Sequence, residues 1–179
     1  LDFKKISLLS ENNSLTVNDL IIDKNNNLVK VDKIDLDYFD NDNIKNKFVF
    51  SRTKNNNYEL IGSSLNADTI ISNLLESKDD QQLDIFKENI NITLNFSNVN
   101  LDSDNVVKNL NGKLQILDNK VNHANISALF DNNKNFTFTI NTKDGEKITT
   151  LFLPKAEPLV KRYKFIKGFE HSDEGYLDF

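Results

Sequence analysis

Cysteine, methionine and tryptophan are all absent from this 179-residue chain. Without cysteine there can be no disulfide, no thiolate zinc ligand and no thiol nucleophile. That absence suits an oxidising and a reducing compartment equally. Methionine is missing even at position 1, as expected of a chain that begins inside a longer gene product or after processing. Glycine (5) and proline (2) are scarce, and no Gly-rich phosphate loop, nucleophile elbow or zinc-ligand spacing occurs. No stretch approaches the run of about eighteen apolar residues that a membrane-spanning helix needs, and no signal peptide is visible. Positive charge is not concentrated either. Lys and Arg number 22 against 27 Asp and Glu, a net charge of -5 spread along the chain. Nucleic acid is therefore not an expected partner.

Asparagine is abundant, and Arg52 and Arg162 are the only arginines. This reads as drift toward A/T-rich codons, with Asn, Lys and Asp filling positions where any polar residue serves. Mean hydropathy is -0.50, polar for a globular chain but not disordered, and the length allows one large domain or two small ones.

The dominant signal is alternation. Ile90, Ile92, Leu94 and Phe96 are separated by polar residues, and the pattern returns at Leu110, Gly112, Leu114 and Ile116, at Ala124, Ile126, Ala128 and Phe130, and at Phe136, Phe138 and Ile140. A period of two gives strands with one apolar and one wetted face. Short polar turns between them predict an antiparallel meander. Residues 1–63 show about five more strands: Phe3–Leu9, Leu15–Asp23, Leu28–Phe39, Lys47–Arg52 and Tyr58–Ser63. They are separated by Asn/Asp clusters suited to turns. Asp144-Gly145 is a hairpin signal, whereas Asn111-Gly112 lies within continuing alternation and reads as strand. The period changes twice. Ala67, Ile70, Ile71, Leu74 and Leu75 share a helical face, with Asn66 suited to the N-cap. Leu159, Val160, Tyr163 and Ile166 share another, between Pro158 and Gly168. Gly175 to Phe179 begin a further strand. The expected architecture is mainly β, a curled antiparallel sheet with two short helices. A polar loop at Lys78–Gln82 divides it into a ladder over 1–82 and a second over 83–179.

Candidate chemistry is sparse. His123 falls on a polar strand face and His171 in a turn beside Ser172-Asp173-Glu174, and both read as solvated side chains. Asp35, Asp37, Asp40 and Asp42 suggest a calcium loop, but Lys45 and Ser51 stand where that pattern needs Gly and Glu. These aspartates, like Asp102 and Asp104, read as turn residues. Asn91-Ile-Thr93 and Asn95-Phe-Ser97 match glycosylation sequons, which an Asn-rich chain produces by chance. No metal, no cofactor and no catalysis are expected.

A family resemblance emerges from the order of these features. Leu151-Phe152-Leu153 ends a strand ladder, Lys155-Ala156-Glu157-Pro158-Leu159 leads into a short helix, and Gly175-Tyr176-Leu177-Asp178-Phe179 restarts a strand. Earlier, Phe3–Leu8 and Val31–Leu36 are similar strands, and Tyr58-Glu-Leu-Ile-Gly62 leads toward the first helix. This resembles the C-terminal region of AsmA-like bacterial envelope proteins, the group with TamB-like and YhdP-like members. It departs from them at Glu157-Pro158, where an acidic-Ala-Gly lead-in is usual. The resemblance implies a long curled sheet with an apolar inner face, in a periplasmic protein anchored in the inner membrane by a segment outside these residues. It also implies a role in phospholipid transport toward the outer membrane and in outer-membrane integrity.

Geometry bears on the same face. About ten strands at roughly 4.8 Å spacing make a sheet about 45 Å wide, which two helices about 10 Å across cannot cover. Each exposed Leu or Phe would forgo about 1.5–3 kcal/mol. The sheet must curl, pack on another sheet, or hold apolar ligand. Three readings follow. In the first, Ile92, Leu94, Phe96, Leu114, Ile116, Phe136, Phe138 and Ile140 face phospholipid acyl chains in a non-catalytic groove. In the second, they are the closed core of a β-sandwich interaction module of a surface or secreted protein. A transmembrane barrel is third, lacking aromatic girdles and interrupted by the helical segments.

Overall fold

The computed structural model describes residues 1–25, 28–54, 57–68, 70, 89–118, 120–130, 133–143, 146–155 and 175–178. Twelve strands lie among them: β1 (Asp2–Leu9), β2 (Ser14–Ile22), β3 (Leu28–Lys30), β4 (Lys33–Phe39), β5 (Lys45–Arg52), β6 (Asn57–Asn66), β7 (Ile90–Asn100), β8 (Val106–Leu117), β9 (Lys120–Leu129), β10 (Asn135–Lys143), β11 (Glu146–Leu153) and β12 (Gly175–Asp178). They form one large sheet in the order β1-β2-β4-β5-β6-β7-β8-β9-β10-β11-β12, with β3 pairing the end of β2. The sheet is mostly antiparallel and is not closed.

The strands arise where the alternation predicts them. Asn111-Gly112 is inside β8. Lys143 pairs with Glu146, which makes β10 and β11 a hairpin, and β12 pairs with β11 from Gly175 onward. Three expectations need correction. The meander is not antiparallel throughout, because β6 and β7 run parallel, from Asn57 opposite Asn91 to Asn66 opposite Asn100. Parallel neighbours need a long crossover, and the segment between Asn66 and Ile90 is long enough to supply one. The two short helices are not borne out. Among the described residues only Asp68 and Ile70 carry helical backbone, and all of Ile71–Leu75 and of Leu159–Ile166 lie outside them. A segment that short is held helical by tertiary packing, so periodicity alone does not establish it. The expected strand Leu28–Phe39 is also interrupted. At Asp19 (φ 48°) β2 bends, so that its start pairs with β4 and its end with β3. Val31, between β3 and β4, turns into the core.

The apolar side chains pack as two clusters. Leu94, Phe96, Val99, Val107, Leu110, Phe130, Phe136 and Leu153 belong to one, and Val31, Tyr58, Ile90 and Ile116 form the other. Phe48 meets Phe96 edge-on at 6.2 Å between ring centroids, and Phe50 stacks on Tyr58 at 4.8 Å. Two glycines make room between strands. A Cβ on Gly62 would lie 2.4 Å from the Lys47 carbonyl oxygen, 2.6 Å from Phe48 Cβ and 2.8 Å from the Phe96 ring. One on Gly112 would lie 2.5 Å from the Asn125 carbonyl oxygen.

A polar knot fixes the β4–β5 turn to the end of β6. Asp40 Oδ1 accepts the Ile44 and Asp42 amides at 2.9 and 3.0 Å, while Oδ2 accepts from Asn66 Nδ2 at 2.7 Å and Asn46 Nδ2 at 3.2 Å. Buried Asn46 in turn accepts the Asn66 amide at 2.7 Å. Burial pushes the Asp40 carboxyl up, but the hydrogen bonds from Asn66, Ile44, Asn46 and Asp42 outweigh it and hold the group below the usual carboxylate range. Asp37 is likewise held low by Lys45 and Lys47, the latter at 2.9 Å.

Both carboxyls bind protons more weakly folded than unfolded. Their stabilisation is complete above the unfolded value of about 4 and is lost as pH falls through the lower folded values. Thermal melts followed by circular dichroism should thus lose stability below about pH 4, with a shallower dependence in Asp40→Asn. Identical pH profiles for the two proteins would contradict this. Gly62→Ala should cost about 1–3 kcal/mol in denaturant melts, because the carbonyl it meets is backbone and cannot swing aside.

Candidate functional site

Pairing register places the apolar residues in rows that run across the sheet. Ile6 lies opposite Val17, Val17 opposite Ile34, Ile34 opposite Phe50, and Phe50 opposite Leu60. The row continues through Leu94, Gly112, Ile126, Phe138 and Leu151. It therefore crosses from β1 to β11 without a polar residue, a width of about 45 Å at roughly 4.8 Å between strands. A second row passes from Leu8 through Leu15, Leu36, Phe48, Gly62 and Phe96 to Leu110.

The eight residues singled out by alternation do share this face. Ile92 pairs with Leu114, Phe96 with Leu110, and Ile116 with Ile90. Phe136, Phe138 and Ile140 pair with Ala128, Ile126 and Ala124. Their exposures differ. Leu94, Phe96, Ile116, Phe136 and Ile140 are buried, and Ile92, Leu114 and Phe138 are half-buried. Toward the β1 edge the face opens, and Leu8 is 61% exposed.

Alternation alone misses part of this face. Val99 and Val107 are among the most deeply buried residues, yet they sit out of step with Leu94 and Phe96 or with Leu110 and Leu114. The register of β8 against β9 shifts between Lys108 and Asn111, where Asn109 adopts φ 53°. A bulge inserts one residue and reverses which parity faces inward. Asn109 was the available signal, since Asn tolerates the left-handed conformation.

The opposite face carries a shallow depression of about 520 Å³ over β6–β10, lined by Glu59, Asn91, Thr93, Lys113, Gln115, His123 and Asn125 among others. Asn91 Nδ2 donates to Asn57 Oδ1 at 3.0 Å, and Gln115 Nε2 to Asn91 Oδ1 at 3.4 Å. Asn122 Nδ2 donates to Gln115 Oε1 at 3.3 Å. His123 Nδ1 lies 3.1 Å from the Ile140 carbonyl oxygen, so a neutral ring donates from Nδ1 and presents Nε2 as an acceptor.

Of the aspartates in the apparent calcium pattern, Asp40 and Asp42 lie in the β4–β5 turn, whereas Asp35 and Asp37, expected in a turn, lie within β4. Asp102 Oδ1 accepts the Asp104 and Asn105 amides, both at 2.8 Å, and Asn105 Nδ2 at 2.9 Å, much as Asp40 accepts its neighbours. Asp35 pairs with Lys33 at 3.4 Å. Among the described residues no group of three or more His, Asp or Glu side chains converges as a metal site, and no helix is long and apolar enough to cross a membrane. His171, Ser172, Asp173 and Glu174 lie outside the described residues. No protein-family model, curated protein or solved structure matches the chain.

Phe96→Ala should cost about 3–5 kcal/mol of stability in urea or guanidinium melts, as for a large side chain lost from a packed interior. Thr137→Ala, on the exposed polar face of β10, should change it by less than about 0.5 kcal/mol. Equal effects from both would mean that Phe96 is not packed in the interior.

Proposed function

We propose that this chain is a non-catalytic segment of an AsmA-like envelope protein, and that its apolar sheet face provides a groove for phospholipid acyl chains passing between the inner and outer membranes. The single observation that supports this most is the apolar row from Ile6 to Leu151, uninterrupted by any polar residue. Lipid tails need continuity of this kind, since each gap exposes methylenes at about 0.8 kcal/mol apiece. In this reading the sheet is curled about its apolar face, the parent protein lies in the periplasm on an inner-membrane anchor, and no cofactor takes part. The half-buried Ile92, Leu114 and Phe138 are the points of contact with lipid, while buried Leu94, Phe96, Ile116, Phe136 and Ile140 form the floor that holds the groove's shape. The face is most open near Leu8, where a tail would enter.

A second reading is favoured by the same burial figures. If the low exposure of Leu94, Phe96, Ile116, Phe136 and Ile140 reflects a closed core, the chain is a β-sandwich interaction module that binds through its loops. Phe138→Asp separates the two. A charge facing a groove stays hydrated, so the variant should melt cooperatively yet retain about tenfold less phospholipid by mass spectrometry of the purified protein. In a closed core the unpaired carboxylate would cost several kcal/mol. Loss of cooperative melting in Phe138→Asp, together with no phospholipid on the parent chain, would falsify the lipid-groove reading.

A further inference from the structure

The polar face is more ordered than a merely wetted strand surface requires. Asn57, Asn91 and Gln115 occupy register-matched positions on three adjacent strands, and their amides are joined head to tail, with Asn122 adding a fourth. The addition depends on a register shift between Gln115 and Ile116, where Gln115 pairs with His123 and Ile116 with Val121. The extra residue is Asn122, and it reaches Gln115 from beside His123. Bulges of this type re-aim side chains and are over-represented next to sites.

From this arrangement we propose that the depression over β6–β10 binds a neutral oligosaccharide. Each primary amide has two N–H donors and an oxygen with two lone pairs. Within the ladder Asn91 and Gln115 each use one donor and one acceptor, which leaves one of each for a ligand. A sugar hydroxyl is itself donor and acceptor, so it satisfies such a pair without leaving either half unmatched. The ladder also holds the amide rotamers before ligand arrives, which lowers the ordering cost of binding. His123, fixed through Nδ1 to the Ile140 carbonyl, adds an acceptor at the rim.

Charge selects the ligand class. Among the lining residues Glu59 and Lys113 are the charged groups, one of each sign, so neither a polyanion nor a polycation gains net attraction. Amides and threonine hydroxyls supply half of the lining, beside Tyr58, Ile92, Leu114 and Ala124, so the hydroxyls of a sugar find partners and the C–H faces of its rings find apolar contact. The volume of about 520 Å³ falls within the usual range of small-molecule sites, about 300–1,000 Å³. This site lies on the face opposite the apolar rows and stands independently of the lipid reading.

The test is a titration of the isotopically labelled chain with maltotetraose and with tetra-N-acetylchitotetraose, followed by amide chemical shifts. Saturable shifts at Asn91, Gln115, His123 and Asn125 are expected from at least one of them. Gln115→Ala should weaken that binding about tenfold, equivalent to one good hydrogen-bonded pair, with the melting temperature as a check on folding. Asn125→Ala, exposed and outside the ladder, serves as a second variant should Gln115→Ala fail to fold. No saturable shift from either sugar at about 10 mM, beyond the weak end of specific affinity, would overturn the proposal. So would shifts that persist unchanged in both variants, or tighter binding of a sulfated tetrasaccharide than of the neutral ones.

Discussion

Pairing register is the constraint on which the other features of this chain depend. Side chains in a strand alternate with a period of two, so a slip of one residue would turn an entire apolar set toward water. Here each strand must agree with two neighbours at once. The row from Ile6 to Leu151 exists because every pair along it, from Ile6 with Val17 to Phe138 with Leu151, is held at the same phase. Where phase changes, it changes on adjacent strands together. Leu65, Val99 and Val107 lie opposite one another beyond the irregularity, so the apolar face continues past it.

Local backbone chemistry keeps that register. Among the described residues the non-glycine positions with positive φ are Asp19, Asn43, Asn109, Asp118 and Asn133, all of the two residue types that visit this region most readily. Their abundance serves turns, bends and bulges that glycine would otherwise supply. The chain keeps glycine for a different need at Gly62 and Gly112, where neighbouring backbone approaches too closely for any Cβ. Acidic side chains take part in the same way. Asp40 and Asp102 close their hairpins by accepting amides of the residues that follow, which explains an acidic pattern that resembles a metal loop without making one.

The two faces of the sheet present opposite chemistry across the same backbone. Between the buried Phe96 and the exposed Ser97 there is only one peptide unit. The apolar face is continuous and graded, more deeply buried near β7–β11 and more exposed near β1. The polar face gathers amides into a ladder that depends on the register between β6, β7 and β8. A register that aligns apolar residues on one side necessarily aligns their polar neighbours on the other, so one constraint shapes both candidate surfaces.

Strand positions and the identity of the apolar face were legible in the residues, because alternation and Asn/Asp turns are local properties. Ile92, Leu94, Phe96, Leu114, Ile116, Phe136, Phe138 and Ile140 fall on one side for that reason. How far each is buried was decided only by tertiary structure, since exposure depends on what lies across neighbouring strands. The parallel pairing of β6 with β7 was likewise invisible, because the direction of a strand depends on the path of its connection and leaves no mark on its alternation. The bulge at Asn122 lay beyond reach for a related reason, since an extra residue is defined by its partner strand, and at Asn109 the residue type was only a permissive signal. The amide ladder joins residues from Asn57 to Asn122 on four strands, and separations of that size are closed by the register of the whole sheet.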